Sequence, residues 1–184
     1  MRKNENNRVN ALRRLRAGDG DSEFAVFFAF SCRDDAFVSE HVVGPLRDHL
    51  KRAVGTDRDL LCVGDENFCF GRSIHDEVIS CLRRSRLVVV LLSNEFLNSG
   101  FCKLEIDLAL QLGKPVILMI KDQVTEELMS PSIAMLYRTN TRILWTRHGG
   151  DYILKSTWDN VVKSIIDTVS NKECVKRTNY ATFQ

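Results

Sequence analysis

The residue with the clearest catalytic potential is Glu105, near the start of a predicted helix. It lies four positions after Phe101, so it falls on or beside the helix face that packs inward. A carboxylate there would be partly desolvated yet reachable from a crevice, and it could stabilise an oxocarbenium-like transition state, as in glycoside hydrolysis. Alternatively, Glu105 only places a negative charge near a helix N-terminus and accepts hydrogen bonds from loop amides. We favour this second interpretation.

Other residue types that carry chemistry form no recognisable site. The six cysteines include no CxxC pair and several fall inside predicted strands or helices, which favours reduced thiols over disulfides or a zinc site. The four histidines show no metal-ligand spacing, and the glycines form neither a dinucleotide fingerprint nor a phosphate-binding P-loop. We therefore expect no metal, no bound cofactor, no conventional Rossmann nucleotide site and no ATP hydrolysis.

The element that would position Glu105 is the stretch 86–93, a continuous apolar run bounded by Arg86 and Ser93. It shows no alternation of polar and apolar residues, which is typical of a strand buried on both faces in a parallel sheet between two helical layers. Further apolar runs predict strands over 24–30, 59–63, 116–120 and 141–145.

Amphipathic helices alternate with these strands, the clearest of them containing Trp158, Val161 and Ile165. The pattern predicts an α/β, flavodoxin-like, doubly wound sandwich: a five-stranded parallel sheet of order 2-1-3-4-5 with helices on both faces. In such a sheet the loops 31–35, 64–72 and 93–105 should meet at one edge, where ligands bind.

The chain ends differ in composition from this predicted domain, which spans 23–170. Residues 1–22 are basic and predict a flexible leader outside the core, and residues 171–184 predict a polar tail. The leader could contact an anionic membrane surface, but a solvated tail is the interpretation we favour. A formal net charge of +2 does not call for a nucleic-acid partner, and without a signal peptide or membrane-length apolar run we expect a cytoplasmic location.

Four motifs follow one another in a linked order: FAFSCRDD at 28–35, LCVGDENFCFGR at 61–72, SNEFLNSGFCKLE at 93–105, and Thr157-Trp158. Together they resemble the signature boxes of TIR domains, the cytoplasmic modules of Toll-like and interleukin-1 receptors and their adaptors. The likeness spans roughly residues 24–169. Cys32 replaces the usual tyrosine of the first box, Phe70 the proline of the second, and Phe101 a tryptophan.

The resemblance implies two alternative functions. In receptors and adaptors the domain assembles with other TIR domains, and the second motif, the BB loop, inserts into a neighbour. In other branches the fold cleaves NAD between nicotinamide and ribose with the glutamate at the position of Glu105. In that case Ser31, Arg33 and Asp34 could position a ribose or phosphate, although capping of the following helix is the role we favour.

We expect homotypic TIR assembly in innate-immune signalling, by a receptor's cytoplasmic region or an adaptor, with NAD hydrolysis as the alternative. Two aromatics, Phe68 and Phe70, lie in the BB loop and either tuck under it or form a contact surface. The predicted contact residues are Asn67, Phe68, Cys69, Phe70, Gly71 and Arg72.

Overall fold

The computed structural model describes residues 2–121 and 123–181 as helices, strands and connections. The helices are α1 (Arg2–Ala17), α2 (Asp35–Val38), α3 (Gly44–Val54), α4 (Ile74–Arg84), α5 (Asn94–Asn98), α6 (Gly100–Gln111), α7 (Pro131–Thr139) and α8 (Trp158–Ala181). The strands are β1 (Phe24–Ala29), β2 (Leu61–Val63), β3 (Ser85–Leu92), β4 (Val116–Ile120), β5 (Arg142–His148) and β6 (Asp151–Leu154).

The strands form one sheet of order β2-β1-β3-β4-β5-β6. The first five are parallel in the predicted order 2-1-3-4-5, which confirms the doubly wound α/β fold. The prediction of five strands is wrong by one, because β6 pairs antiparallel with β5 at the edge. Gly149 and Gly150 both adopt positive φ between the two strands, which permits this tight hairpin.

All eight residues of β3 are buried, as predicted for a strand covered on both faces. Its side chains alternate between two core clusters, one in each helical layer. Leu87, Val89 and Leu91 belong to the layer that includes α3 and α8, whereas Val88 and Val90 pack in the layer that includes α4 and α6. Helices thus pack on both faces of the sheet, and this packing fixes the positions of the loops at its carboxyl edge.

The prediction that residues 1–22 lie outside the core is wrong. Most of this segment is the helix α1, and its residues Ala11 and Leu15 are buried in the cluster that contains Leu50, Val54 and Val169. Most residues of α1 are charged or carry amide side chains. Two core residues among them gave too weak a helical periodicity to be recognised in the sequence. The boundary at 23 stays a prediction.

The end of α1 is fixed to the domain by Arg58. Its Nη1 donates a hydrogen bond of 3.0 Å to the carbonyl of Leu15, one of the carbonyls left free at a helix end. Gly18 follows with φ of 73°, and a Cβ there would lie 1.9 Å from that same Nη1. The left-handed φ favours glycine at this position, and the Arg58 guanidinium packs directly over the backbone.

We expect Leu15→Ala to lower the free energy of unfolding by about 2 to 5 kcal/mol, because it opens a cavity at a fully buried position. Chemical denaturation measures this change. Val9→Ala, on the exposed side of α1, is the matched control and should change stability little. An effect of Leu15→Ala as small as that of Val9→Ala would show that α1 does not dock on the domain.

Helix α8 continues to Ala181, so it enters the segment 171–184 for which a polar tail was predicted; residues 182–184 lie outside the described residues. A π-helical turn, Ser39–Val43, directly precedes α3, which has Pro45 in its first turn. Among the described residues, no helix is both long and apolar enough to cross a membrane.

Candidate functional site

A cavity of about 930 Å³ lies at the carboxyl ends of β1 and β2, beside the start of α6. All three loops that were predicted to meet at this edge contribute to its lining, which confirms the geometric prediction. Their lining residues include Ser31, Cys32, Gly64, Glu66, Phe68, Ser99, Phe101, Cys102 and Glu105. The wall of the cavity thus combines aromatic and aliphatic side chains with three acidic residues, Asp35, Glu66 and Glu105, and two thiols.

Glu105 lies in the second turn of α6 and lines the cavity with only 8% of its surface exposed. The helix is started by Ser99, whose hydroxyl accepts a hydrogen bond of 3.2 Å from the Cys102 amide. In the described part of the chain, no group donates a hydrogen bond to the Glu105 carboxylate. The expectation that loop amides bond to it is therefore wrong.

Burial raises the pKa of Glu105 from 4.5 to about 8, because the apolar surroundings disfavour its charged form. Near neutral pH the carboxyl is therefore mostly protonated. Burial also raises the pKa of the neighbouring Cys102 thiol to about 11, with a further contribution from the negative charge of Glu105. Cys102 is accordingly a poor nucleophile, whereas the charge of Glu105 can change near physiological pH.

Asp34, one of the predicted ribose or phosphate ligands, is instead buried in a network between strand ends. Its Oδ2 accepts a hydrogen bond of 2.5 Å from Ser93 Oγ, and its Oδ1 lies 2.8 Å from Lys121 Nζ. Ser93 follows β3 and Lys121 follows β4, so the network joins the carboxyl ends of three strands. Asp34 does not line the cavity, and its contacts explain it as a structural residue.

The other two residues of this loop have different surroundings. Ser31 lines the cavity and accepts a hydrogen bond of 3.4 Å from the Arg33 amide, which is the capping contact predicted for it. Arg33 points to solvent, and its Nη1 lies 3.2 Å from Glu95 Oε2. Of the three residues, the structure therefore places only Ser31 beside Glu105.

The BB loop is anchored by Glu77, a buried residue of α4. Its carboxylate accepts a hydrogen bond of 3.0 Å from the Cys69 amide and lies 3.5 Å from Arg72 Nη1. At the other end of the loop, Asn67 Oδ1 accepts a hydrogen bond of 2.8 Å from the Val63 amide. These contacts fix both sides of the loop, and its tip, Phe70 and Gly71, is exposed to solvent.

The two aromatics of the BB loop have opposite environments: Phe68 tucks under the loop, whereas Phe70 is available as a contact surface. Phe68 is partly buried, packs against the core cluster of α4 and α6, and lines the cavity. Phe70 is fully exposed. A fully exposed phenylalanine at the tip of an anchored loop is the pattern of a contact residue.

Sequence reasoning missed Lys121 and Glu77, which organise the two loops. Lys121 directly follows β4, so the rule that strand ends meet at one edge could have placed it near Asp34. From the sequence, Glu77 could be interpreted only as an acidic residue in the first turn of α4. Nothing in the local sequence indicated that it is buried.

Trp158, in the clearest amphipathic helix of the sequence, is partly buried and packs against Trp145 with ring centroids 6.1 Å apart.

Comparisons with known proteins agree with this architecture. The family model for the TIR domain matches residues 23–146. The protein Toll of Drosophila melanogaster is 26% identical over 133 residues, which cover 69% of this chain and 12% of that protein. Toll-like receptor 6 of Bos taurus is 27% identical over 84 residues, covering 46% of this chain and 10% of the receptor. The chain thus spans about a tenth of the length of these relatives.

Among solved structures, the fold is similar to the crystal structure of the TIR domain of the Toll-related receptor TRR-2 from Hydra magnipapillata. The TM-score is 0.52 at 16% sequence identity, and the match covers 66% of this chain and 84% of that one. At this identity the likeness concerns the fold alone.

Proposed function

Because this chain belongs to the TIR domain family, we propose that it transmits an innate-immune signal by assembling with other TIR domains through its BB loop. The observation that carries the proposal is the exposure of Phe70 on a loop anchored by Glu77. The names of the relatives, Toll and Toll-like receptor 6, support the signalling context.

The physical reason for assigning the contact to Phe70 is the free energy of its apolar surface. Removing a phenylalanine ring from water is worth roughly 1.5 to 3 kcal/mol, and a loop already held in place loses little entropy on binding. The hydrogen bonds to Glu77 and Asn67 supply that order before any partner arrives. Phe70 thus has the properties of an interface anchor.

We expect Phe70→Ala to weaken self-association by at least about tenfold, the lower range for an aromatic hot spot. Analytical ultracentrifugation of the purified domain over a concentration series measures the change, and a cell-based signalling assay reports its consequence. Met135→Ala, which removes another exposed apolar side chain on α7, is the matched control. Equal self-association of the wild type and Phe70→Ala would remove the basis of the proposal.

A second candidate function, hydrolysis of NAD, is favoured by one observation: Glu105 is buried in the cavity wall without a hydrogen-bond donor among the described residues. In this reaction the bond between the nicotinamide nitrogen and the ribose breaks, and water supplies the oxygen of the product. The ionised Glu105 would stabilise the positive charge that develops on the ribose. Ser31, on the cavity wall, could contact a ribose hydroxyl.

The pKa of Glu105 gives this candidate a definite pH dependence. Only the carboxylate stabilises a cation, and its pKa of about 8 means that the charged fraction increases up to and beyond pH 8. If the domain hydrolyses NAD, kcat/KM should therefore rise with pH with an apparent pKa of about 8. Nicotinamide release by purified protein at high concentration measures the rate. No turnover, or equal turnover by Glu105→Ala, would eliminate the candidate.

We further propose that the domain acts in the cytoplasm, on the cytoplasmic side of a membrane receptor or bound to one. The support is the similarity to Toll and Toll-like receptor 6, of which this chain matches about a tenth. Contact of the basic helix α1 with an anionic membrane stays a prediction.

A further inference from the structure

A second cavity, of about 960 Å³, lies at the opposite end of the sheet from Glu105, and the proposed function does not use it. Its walls are the amino ends of β4 and β5, the end of α7 and one side of α8. Asn160, Ser164 and Thr168 line it from α8, where a spacing of four residues places them on one face of the helix. The cavity is large enough for a small-molecule ligand.

The lining of this second cavity is positively charged. It contains three basic side chains, Lys114, Arg142 and Lys155, and no aspartate or glutamate occurs among its lining residues, all of which the structure describes. Other arginines of the described surface are neutralised by nearby carboxylates: Arg47 and Arg138 each lie within 3.2 Å of one. A concave site with charges of one sign concentrates its field on a ligand of the opposite sign.

Two of these cations are available for a ligand. The guanidinium carbon of Arg142 lies 4.2 Å from the centroid of the Tyr137 ring, so stacking holds the group flat and leaves its N–H edge free to donate. Within the described residues, neither Arg142 nor Lys155 pairs with a carboxylate. Lys114 contributes charge from deeper in the wall, where its Nζ lies 2.5 Å from the carbonyl of Ser85.

The remaining lining combines neutral donors with an apolar floor. Side-chain hydroxyls come from Thr139, Thr141 and Ser156, near the cationic rim. Leu136 and Leu144 supply apolar lining on the face of the sheet that carries Arg142, since Leu144 follows Arg142 by two residues on β5 and Leu136 packs in the cluster of α4 and α6. Such a site can bind a ligand that carries phosphate at one end and a planar or apolar group at the other.

We propose that this second cavity binds a nucleotide-like phosphorylated small molecule, with its phosphates between Arg142 and Lys155 and its ring against Leu136 and Leu144. Arg142 would bind a phosphate through two N–H groups, whereas Lys155 would act as a point charge. The site is separate from Glu105, so the proposal does not depend on NAD hydrolysis.

Isothermal titration of the intact chain with ADP, adenosine and inorganic pyrophosphate tests the proposal. We expect ADP to bind more tightly than either fragment, and more weakly as ionic strength rises. The double variant Arg142→Gln/Lys155→Gln should bind ADP at least about tenfold more weakly, because it lacks both charge-assisted contacts. Arg147→Gln/Lys163→Gln, the same charge change on exposed positions outside the cavity, should bind ADP like the wild type.

Three results would overturn the proposal. The first is no heat of binding with ADP or pyrophosphate. The second is equal ADP affinity in both double variants, which would place the ligand elsewhere, for example in the Glu105 cavity. The third is self-association, measured by sedimentation, that is lost only in Arg142→Gln/Lys155→Gln while ADP does not bind, which would assign this surface to a second copy of the chain. Circular dichroism verifies that both variants, altered only at exposed positions, are folded.

Discussion

Replacement of Asp34 by alanine is expected to lower the free energy of unfolding by about 3 to 5 kcal/mol, a large part of the stability of a domain this size. The carboxylate is 1% exposed and lies 2.8 Å from Lys121 Nζ, whose side chain is itself only 15% exposed. Removing one partner of a buried ion pair leaves the other charge in a medium that solvates it poorly. The hydrogen bond from Ser93 is lost in the same change.

The Asp34 network also holds three loops, so the effect should spread beyond stability. Asp34→Ala is expected to increase hydrogen exchange in the turn after β1 and in the turn after β3, which Ser93 begins. Asp35→Ala, at the adjacent exposed position, is the matched control. Urea denaturation gives the free energies, and the double variant Asp34→Leu/Lys121→Met tests the cause. If the pair explains the loss, removing both charges should recover much of the stability.

The sequence predicted those elements whose signal lies in consecutive residues. β3 was predictable because its residues 87–92 form an uninterrupted apolar run, and its doubly buried state implies helices on both faces. From there the parallel order and the meeting of three loops follow from topology alone. The edge strand β6 was missed because four residues with two exposed give no comparable run.

Contacts between distant residues were the part that sequence could not give. Asp34 and Lys121 are 87 residues apart, and each alone is compatible with a helix cap or a solvated charge. Likewise, Phe68 and Phe70 have the same side chain, and their opposite environments depend on where Glu77 holds the loop backbone. The depth of Glu105, which decides its pKa, also depends on packing across the cavity.

Glu105→Gln is expected to make the domain markedly less sensitive to alkaline pH. In the folded state the pKa of Glu105 is about 8, above the 4.5 of an exposed glutamate, so between these values the folded chain binds more protons than the unfolded chain. The free energy of unfolding therefore falls as pH rises through this window, by up to about 1.4 kcal/mol per pH unit. Glutamine keeps the shape and removes the titration.

Denaturation of the wild type and Glu105→Gln at a series of pH values from about 5 to about 8.5 isolates this contribution, since all other titrating groups are shared. The difference in stability, variant minus wild type, should increase by several kcal/mol across the range, and its slope should begin to decrease at the upper end, as pH passes the folded-state pKa of about 8. Glu127→Gln, which removes an exposed carboxylate, should give a nearly constant difference. A constant difference for Glu105→Gln as well would mean that water reaches the carboxylate in the folded state, and the pH profile expected for NAD hydrolysis would lose its basis.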